Sequence, residues 1–131
     1  MNVRRGDVCL ARLDPAVGSE QQKTRPVVVV QNDIDNRFSP VTIAVPVTSR
    51  SGDPAYPTQV LLPGGEGGLA RPGMVLCNQV RALDKARLIR RLGTLGPDTM
   101  LLVDEGLRAA LALDDSRPLD ASDEVLGGAD D

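Results

Sequence analysis

Histidine and tryptophan are absent from this 131-residue chain, which also has only one tyrosine, one phenylalanine and two cysteines. Without histidine, every histidine-based catalytic arrangement is excluded, and the wide separation of Cys9 from Cys77 excludes the usual zinc-site spacings. Two distant thiols suit a reducing compartment, so we expect both to be free. We expect no metal or other cofactor, and any chemistry must use other side chains.

Long hydrophobic runs are also lacking. No segment approaches the ~20 apolar residues of a membrane span, and residues 1–7 are polar, with no signal-peptide core behind them. We therefore expect a cytoplasmic protein. With 41% hydrophobic and 25% charged residues, the composition is that of one globular domain, large enough to fold on its core without disulfides or metal.

Charge is divided unevenly along the chain. Residues 1–113 hold 14 Lys/Arg against 11 Asp/Glu, whereas residues 114–131 hold one arginine and seven acids. The mildly basic body permits a polyanionic partner. The acidic segment has too few large apolar residues to offset the entropy lost on ordering. We therefore expect one domain over residues 1–113 and an acidic, disordered tail over residues 114–131.

Short β-branched runs predict strands near residues 8–13, 25–31, 41–48, 58–62, 74–83 and 88–95. Pro26 is expected to open its strand, and Pro46 requires an edge or a bulge, because proline cannot donate to a ladder. One helix is predicted from Pro97, with Met100 and Val103 on its apolar face. Several short strands with one late helix predict a mainly β fold, a small barrel or curled sheet capped by that helix.

The candidate chemistry lies in a long loop and at two strand ends. Residues 14–24 form a longer connection than a hairpin needs, and they deliver Arg25 to the start of an apolar run. An arginine there can donate two hydrogen bonds to a phosphate, or it can form an ion pair with a loop carboxylate such as Glu20. Thr48 and Ser49 close the next apolar run, where hydroxyls are more often turn formers than catalysts. The residues alone leave these alternatives open.

Several blocks in this order resemble the MazF/PemK toxin family. They are Arg5-Gly6-Asp7-Val8, Gly18-Ser19-Glu20-Gln21, residues 24–33, residues 36–40, Val45-Pro46-Val47-Thr48, residues 79–88 and Gly93-Thr94-Leu95. The resemblance covers residues 3–113. It implies a small SH3-like barrel of the CcdB/PemK type with a C-terminal α-helix, which forms a homodimer and inhibits growth by cutting single-stranded mRNA at short sequences without metal. It also implies a cognate antitoxin with an acidic, disordered segment, and Arg25 with Thr48 as the catalytic pair.

Metal-independent RNA cleavage uses the 2′-hydroxyl of the RNA as nucleophile and is expected to leave a 2′,3′-cyclic phosphate and a 5′-hydroxyl. Arginine has a pKa above ~12, so Arg25 is better suited to stabilising charge in the transition state than to acting as a base. Thr48 can donate one hydrogen bond to a non-bridging oxygen. Candidates for seating the RNA are Ser19, Glu20, Asn78 and Gln79, each of which can equally be a solvent-facing polar residue. The general base is unassigned.

Two other functions are compatible with the same fold. One is a non-enzymatic toxin that poisons a topoisomerase, although the acids Asp114 and Asp115 after the helix match that class poorly. The other is an inactive barrel that only binds the antitoxin. With so few aromatic residues, base selectivity is expected to be loose or driven by hydrogen bonds, and Phe38 is interpreted as a loop anchor. The acidic tail is either a solvated extension or a tethered competitor of RNA.

Overall fold

The computed structural model describes residues 1–13, 24–49 and 52–113. Its sheet has seven antiparallel strands: β1 (Asp7–Arg12), β2 (Thr24–Val29), β3 (Val41–Thr48), β4 (Gln59–Leu62), β5 (Gly73–Leu76), β6 (Arg81–Asp84) and β7 (Leu88–Thr94). The α-helices are α1 (Asp33–Phe38) and α2 (Pro97–Leu111), with 3-10 turns at Glu66–Gly68 and Lys85–Arg87. The strand order is β4-β5-β3-β2-β1-β7, and β6 also pairs with β3.

The central strands are buried on both faces, which is why their sequences read as continuous apolar runs. Val28 and Val45 point into the larger core cluster together with Val103 of α2. Val27 and Val29 point the opposite way, into a second cluster with Cys9, Ala11, Ala44, Leu83 and Leu88. A strand covered on both sides cannot change register without exposing a whole row of side chains.

Two prolines mark the end of the β2–β3 ladder. The paired register runs from Val27↔Pro46 to Val29↔Ala44. Val30 donates its N–H to the Ile43 carbonyl of β3 (2.9 Å), and by the two-residue repeat of a strand the nitrogen of Pro26 faces β3 as well, just beyond that register. The sequence predicted Pro26 as the first residue of its strand, but it is the third residue of β2. Its missing N–H nevertheless costs no ladder bond, because Pro26 lies beyond the last β2–β3 pair.

Pro46 fits the predicted edge for a related reason. On the side of β3 away from β2, residues Val41–Ala44 pair with β6, whereas Val47 and Thr48 pair with β5. Pro46 lies in the interval between these two partners. The missing proline N–H is thus tolerated at an interrupted edge of an otherwise central strand.

The single strand predicted over residues 74–83 is wrong. β5 ends at Leu76, and a turn follows in which Gln79 donates its N–H to the Leu76 carbonyl (3.0 Å). β6 begins only at Arg81. The apolar pattern continues across the turn because Cys77 is fully buried there, so periodicity alone did not reveal the break.

Helix α1 was not predicted, and the interpretation of Phe38 as a loop anchor is wrong. Phe38 is the last residue of α1, its side chain is 75% exposed, and the Arg37 guanidinium lies 5.2 Å from its ring centroid. The anchor is Asn36, which is 1% exposed. Its amide donates to the Gln31 carbonyl (2.8 Å) and accepts from the Thr42 hydroxyl (2.7 Å).

The predicted C-terminal helix is confirmed. Gly96 is the N-cap of α2, Pro97 is in its first turn, and Ala112 in the left-handed conformation ends it. Val103 and Gly106 are its buried residues. Neither α-helix of the described chain is long and apolar enough to cross a membrane.

Both cysteines are free and buried, as expected. Burial raises the pKa of the Cys9 thiol and of the Cys77 thiol to about 11. Both groups are therefore neutral, weakly reactive thiols near pH 7.

Gly106 sets how closely α2 approaches the sheet, and this generates a stability prediction. A Cβ at this position would lie 2.7 Å from Sγ and 3.2 Å from Cβ of Cys77. Gly→Ala in a helix normally stabilises by about 1 kcal/mol, but overpacking costs about 1–3 kcal/mol. We expect Gly106→Ala to lower the free energy of unfolding, measured by denaturant titration.

The control for that prediction is the same substitution in a Cys77→Ala background, which removes the sulfur. There Gly106→Ala should become neutral or stabilising, giving a coupling of about 1 kcal/mol or more between the two sites. Additive effects of the two substitutions would contradict the packing argument.

Candidate active site

A groove of about 690 Å³ opens where β2, β3 and β6 meet. Its polar lining consists of Arg25, Gln79 and Arg81, and its apolar lining of Leu13, Pro46, Leu76, Val80 and Ala82. We call it the strand-end groove. Two guanidinium groups in one groove make it a site suited to a polyanion.

Arg25 is half-buried near the start of β2. Its backbone is held by β1, where it lies opposite Ala11. Within the described residues no hydrogen bond or ion pair engages the Arg25 side chain. The alternative partner considered from the sequence, Glu20, lies outside the described residues. Arg25 therefore lines the groove from a backbone held by β1, and among the described residues its guanidinium has no side-chain partner.

Thr48 is the last residue of β3 and is paired with Met74 of β5. The paired register of β2 and β3 ends at Val27↔Pro46, two residues short of Arg25 and Thr48. Thr48 does not line the strand-end groove itself. It lines a neighbouring cavity together with Pro26, Val47 and Ser49.

The other candidates are divided among three places. Gln79 lines the strand-end groove, whereas its neighbour Asn78 is exposed on the β5–β6 turn and is not part of the lining. Ser19 and Glu20 lie outside the described residues. Leu13, the last described residue before them, lines the groove, as does Arg25.

Sequence reasoning missed Arg81, which brings a second positive charge into the groove. It is the first residue of β6 and is exposed, opposite Ala44 of β3. The available signal was its position two residues after Gln79 in an otherwise apolar stretch. Successive side chains of a strand alternate between the two faces of the sheet, so an arginine at the start of a strand shares its face with every second residue.

The acid–base content of the groove limits its chemistry. None of the residues that line it in the described chain is acidic, and no group of three or more His, Cys, Asp or Glu among the described residues is arranged to hold a metal ion. Arginine donors stabilise developing negative charge without moving a proton. The arrangement is therefore suited to stabilising a charged phosphate transition state.

Comparisons with known proteins agree with this arrangement. A family model described as "PemK-like, MazF-like toxin of type II toxin-antitoxin system" matches residues 4–111. Endoribonuclease EndoA of Bacillus subtilis (strain 168) is 44% identical over 115 residues, which cover 88% of this chain and 99% of that relative.

Solved structures show the same fold. A MazE-MazF structure (Form-II) from Deinococcus radiodurans matches with a TM-score of 0.72 at 28% identity, covering 87% of this chain and 99% of that one. An endoribonuclease in complex with its cognate antitoxin, from Mycobacterial species, matches with a TM-score of 0.66 at 26% identity, covering 85% and 94% of the two chains.

The chain belongs to the PemK-like, MazF-like family of type II toxins. The predicted fold class, mainly β with a C-terminal helix, is confirmed, and so is the predicted class of activity, an endoribonuclease toxin. The topoisomerase-poison alternative is not favoured, because the EndoA relative, aligned over nearly its whole length, is an endoribonuclease.

Proposed function

We propose that this toxin is a metal-independent, sequence-selective endoribonuclease that cleaves single-stranded mRNA by attack of the RNA 2′-hydroxyl. The products would be a 2′,3′-cyclic phosphate and a 5′-hydroxyl. The observation that carries the proposal is the strand-end groove, which is lined by two arginines, Arg25 and Arg81. We further propose that it acts in the cytoplasm.

The proposed catalytic roles follow from the donors that each side chain has. Arg25 offers a planar fork that can bind two oxygens of a pentacoordinate phosphorane at once. Thr48 has one hydroxyl donor, enough to orient the phosphate through a non-bridging oxygen. Gln79 with Asn78, and Ser19 with Glu20 of the loop, are proposed to contact bases or backbone around the cut. The general base is left open.

The catalytic pair is tested by three substitutions. We expect Arg25→Ala to lower the cleavage rate by about 100-fold or more, the usual cost of losing one transition-state donor. Arg25→Lys should also lower the cleavage rate, because lysine keeps the positive charge but lacks the planar guanidinium that donates two parallel hydrogen bonds. Thr48→Val is nearly isosteric and should lower the cleavage rate at least about tenfold. The measurement is cleavage of a mixed single-stranded RNA pool in EDTA.

The matched control is Arg37→Ala, which removes one exposed positive charge at the opposite end of the β2–β3 pair. It should leave the rate unchanged, and circular dichroism should show all variants folded. Normal activity of Arg25→Lys would remove the bidentate contact from the mechanism. Normal activity of Thr48→Val would remove the hydroxyl.

We propose that the toxin is neutralised by a cognate antitoxin and that it forms a homodimer. The antitoxin complexes of the Deinococcus and Mycobacterial relatives support the first proposal. The contacting element proposed for the antitoxin is an acidic, disordered segment, which would compete with RNA for the arginines of the strand-end groove.

Exposed apolar side chains on α2 support the dimer. Leu101, Leu102 and Leu111 are 60%, 50% and 53% exposed, and a second copy would remove their apolar area from water. We expect light scattering at micromolar concentration to give twice the mass of the chain. A Leu101→Glu, Leu102→Glu variant should give the monomer mass, and a monomer of the unaltered protein would contradict the proposal.

We propose residues 1–113 as the catalytic domain and residues 114–131 as an acidic appendage. A chain truncated after Leu113 should fold and cleave RNA, because α2 is already ended by its cap at Ala112. Its affinity for RNA should rise most at low ionic strength and little above ~0.3 M salt, where charges are screened beyond about 6 Å. Loss of cleavage on truncation would show that the domain extends further.

A further inference from the structure

Two exposed arginines on neighbouring strands have no role in the mechanism above. Arg12 is the last residue of β1, and Arg90 lies in β7. Leu10 of β1 is paired with Arg90, and residues opposite each other share a face of the sheet. Because side chains alternate along a strand, Arg12 lies on the face of Leu10 and is a diagonal neighbour of Arg90. We call these two residues the β1–β7 arginines.

The β1–β7 arginines lack a counter-charge within the described chain. No hydrogen bond or ion pair with a described residue engages either side chain. Arg91, by contrast, is paired with the Asp7 carboxylate (3.1 Å). A third guanidinium, that of Arg87, donates to the Arg12 carbonyl (3.2 Å). Like charges on neighbouring strands repel each other, so this end of the β1–β7 pair is suited to binding an anion.

Protection of a sheet edge explains only one of the two residues. β7 is at one end of the strand order, and charged side chains on an edge strand hinder pairing with another chain. Arg12 is not on an edge strand, because β1 is paired with β7 on one side and with β2 on the other, where Thr24 is opposite Arg12. The presence of Arg12 beside Arg90 therefore has another reason.

A row of paired residues connects these arginines with the candidate active site. Leu10 is paired with Arg90 on one side and with Pro26 on the other. Pro26 directly follows Arg25 and lines a cavity together with Thr48. Neighbouring strands are about 4.8 Å apart, so the backbone of Arg90 lies about 10 Å from that of Pro26. An RNA strand bound at Arg25 and Thr48 would reach the β1–β7 arginines with nucleotides that flank the cut.

The composition of β1 and β7 favours a phosphate over a base as the ligand. Neither strand contains an aromatic residue on which a base could stack. Each guanidinium offers a planar fork of donors that matches two oxygens of a phosphodiester. Such contacts position a nucleic acid without reading its sequence.

We propose that Arg12 and Arg90 bind one backbone phosphate of the RNA, at a nucleotide flanking the cut. An acidic protein segment is the other polyanion of matching charge. The row from Arg90 through Leu10 to Pro26 favours RNA, because it joins the arginines to the proposed site of cleavage. The proposal rests on the proposed ribonuclease function and adds to it a site that holds the strand without selecting its sequence.

The test measures KM and kcat for an RNA oligonucleotide with one cleavage site, at several salt concentrations. The double variant Arg12→Ala, Arg90→Ala should raise KM about tenfold, the usual effect of losing hydrogen bonds to a charged group, and leave kcat unchanged. The slope of log KM against log salt should fall by about 0.7, the share of one phosphate contact on a single strand. Sequence preference in a random RNA pool should not change.

The matched control is the double variant Arg4→Ala, Arg37→Ala, which removes two exposed positive charges near α1. It should leave both KM and its salt dependence unchanged. Equal effects of the two double variants would show that net charge alone is responsible and would overturn the phosphate site.

A second measurement neutralises the phosphate in place of the arginines. Oligonucleotides carry one uncharged methylphosphonate linkage, moved through the flanking positions in turn. One position should raise KM of the unaltered toxin about tenfold and should not raise KM of the Arg12→Ala, Arg90→Ala variant further. If no flanking position matters to the unaltered toxin, the phosphate site is wrong.

The remaining outcomes separate the phosphate site from the function on which it rests. An unchanged KM in the double variant would overturn the phosphate site and leave the ribonuclease function in place. Weaker inhibition of that variant by polyglutamate, with KM for RNA unchanged, would assign the arginines to an acidic protein segment and overturn the proposal in favour of that ligand. No cleavage by the unaltered toxin would overturn the proposed function and the phosphate site together.

Discussion

The register of β2 against β3 is the constraint on which the candidate site depends. Both strands are buried on two faces, so the pairing of Val27 with Pro46 is fixed by side chains that have no alternative place to pack. A slip of one residue would turn Arg25 to the face opposite Pro46, with which it lines the groove. The valines that make the core therefore also determine whether the Arg25 guanidinium lines the groove.

Buried polar groups outside the groove lining fix the elements next to that pair of strands. The Asp7 carboxylate accepts from the Arg4 N–H (2.8 Å), from Nε of Arg91 (3.1 Å) and from the Thr94 hydroxyl (3.0 Å), which joins β1 to β7. Asn36 joins α1 to β3 in the same manner. Asp7 and Asn36 belong to sequence blocks that resemble the family, yet both are structural, because a buried polar group must be fully hydrogen-bonded to be tolerated. The blocks of family resemblance thus divide into residues that position the sheet and residues that face the groove.

The parts of the structure that could be predicted are those encoded in local patterns. Three elements have such a pattern: the valine run of β2, the strand that ends at Thr48, and the apolar face of α2, which starts at Pro97. Each shows a clear hydrophobic period or a helix cap. Helix α1 is only six residues long, too short to show a helical period. Its one local signal is the N-cap residue Asn32, whose side chain accepts a hydrogen bond from the Asp35 N–H. The cavity next to the groove, lined by Thr48, Arg71 and Pro72, could not be foreseen at all. Arg71 and Pro72 lie in a Gly/Pro-containing connection, and only the tertiary packing of that connection against β3 makes it a wall.

The absence of acidic side chains from the described groove lining leads to one further step. Two arginines stabilise a phosphorane but cannot remove the proton of the 2′-hydroxyl, since a guanidinium has no acceptor. The proton must then pass to solvent or to a carboxylate from outside the lining.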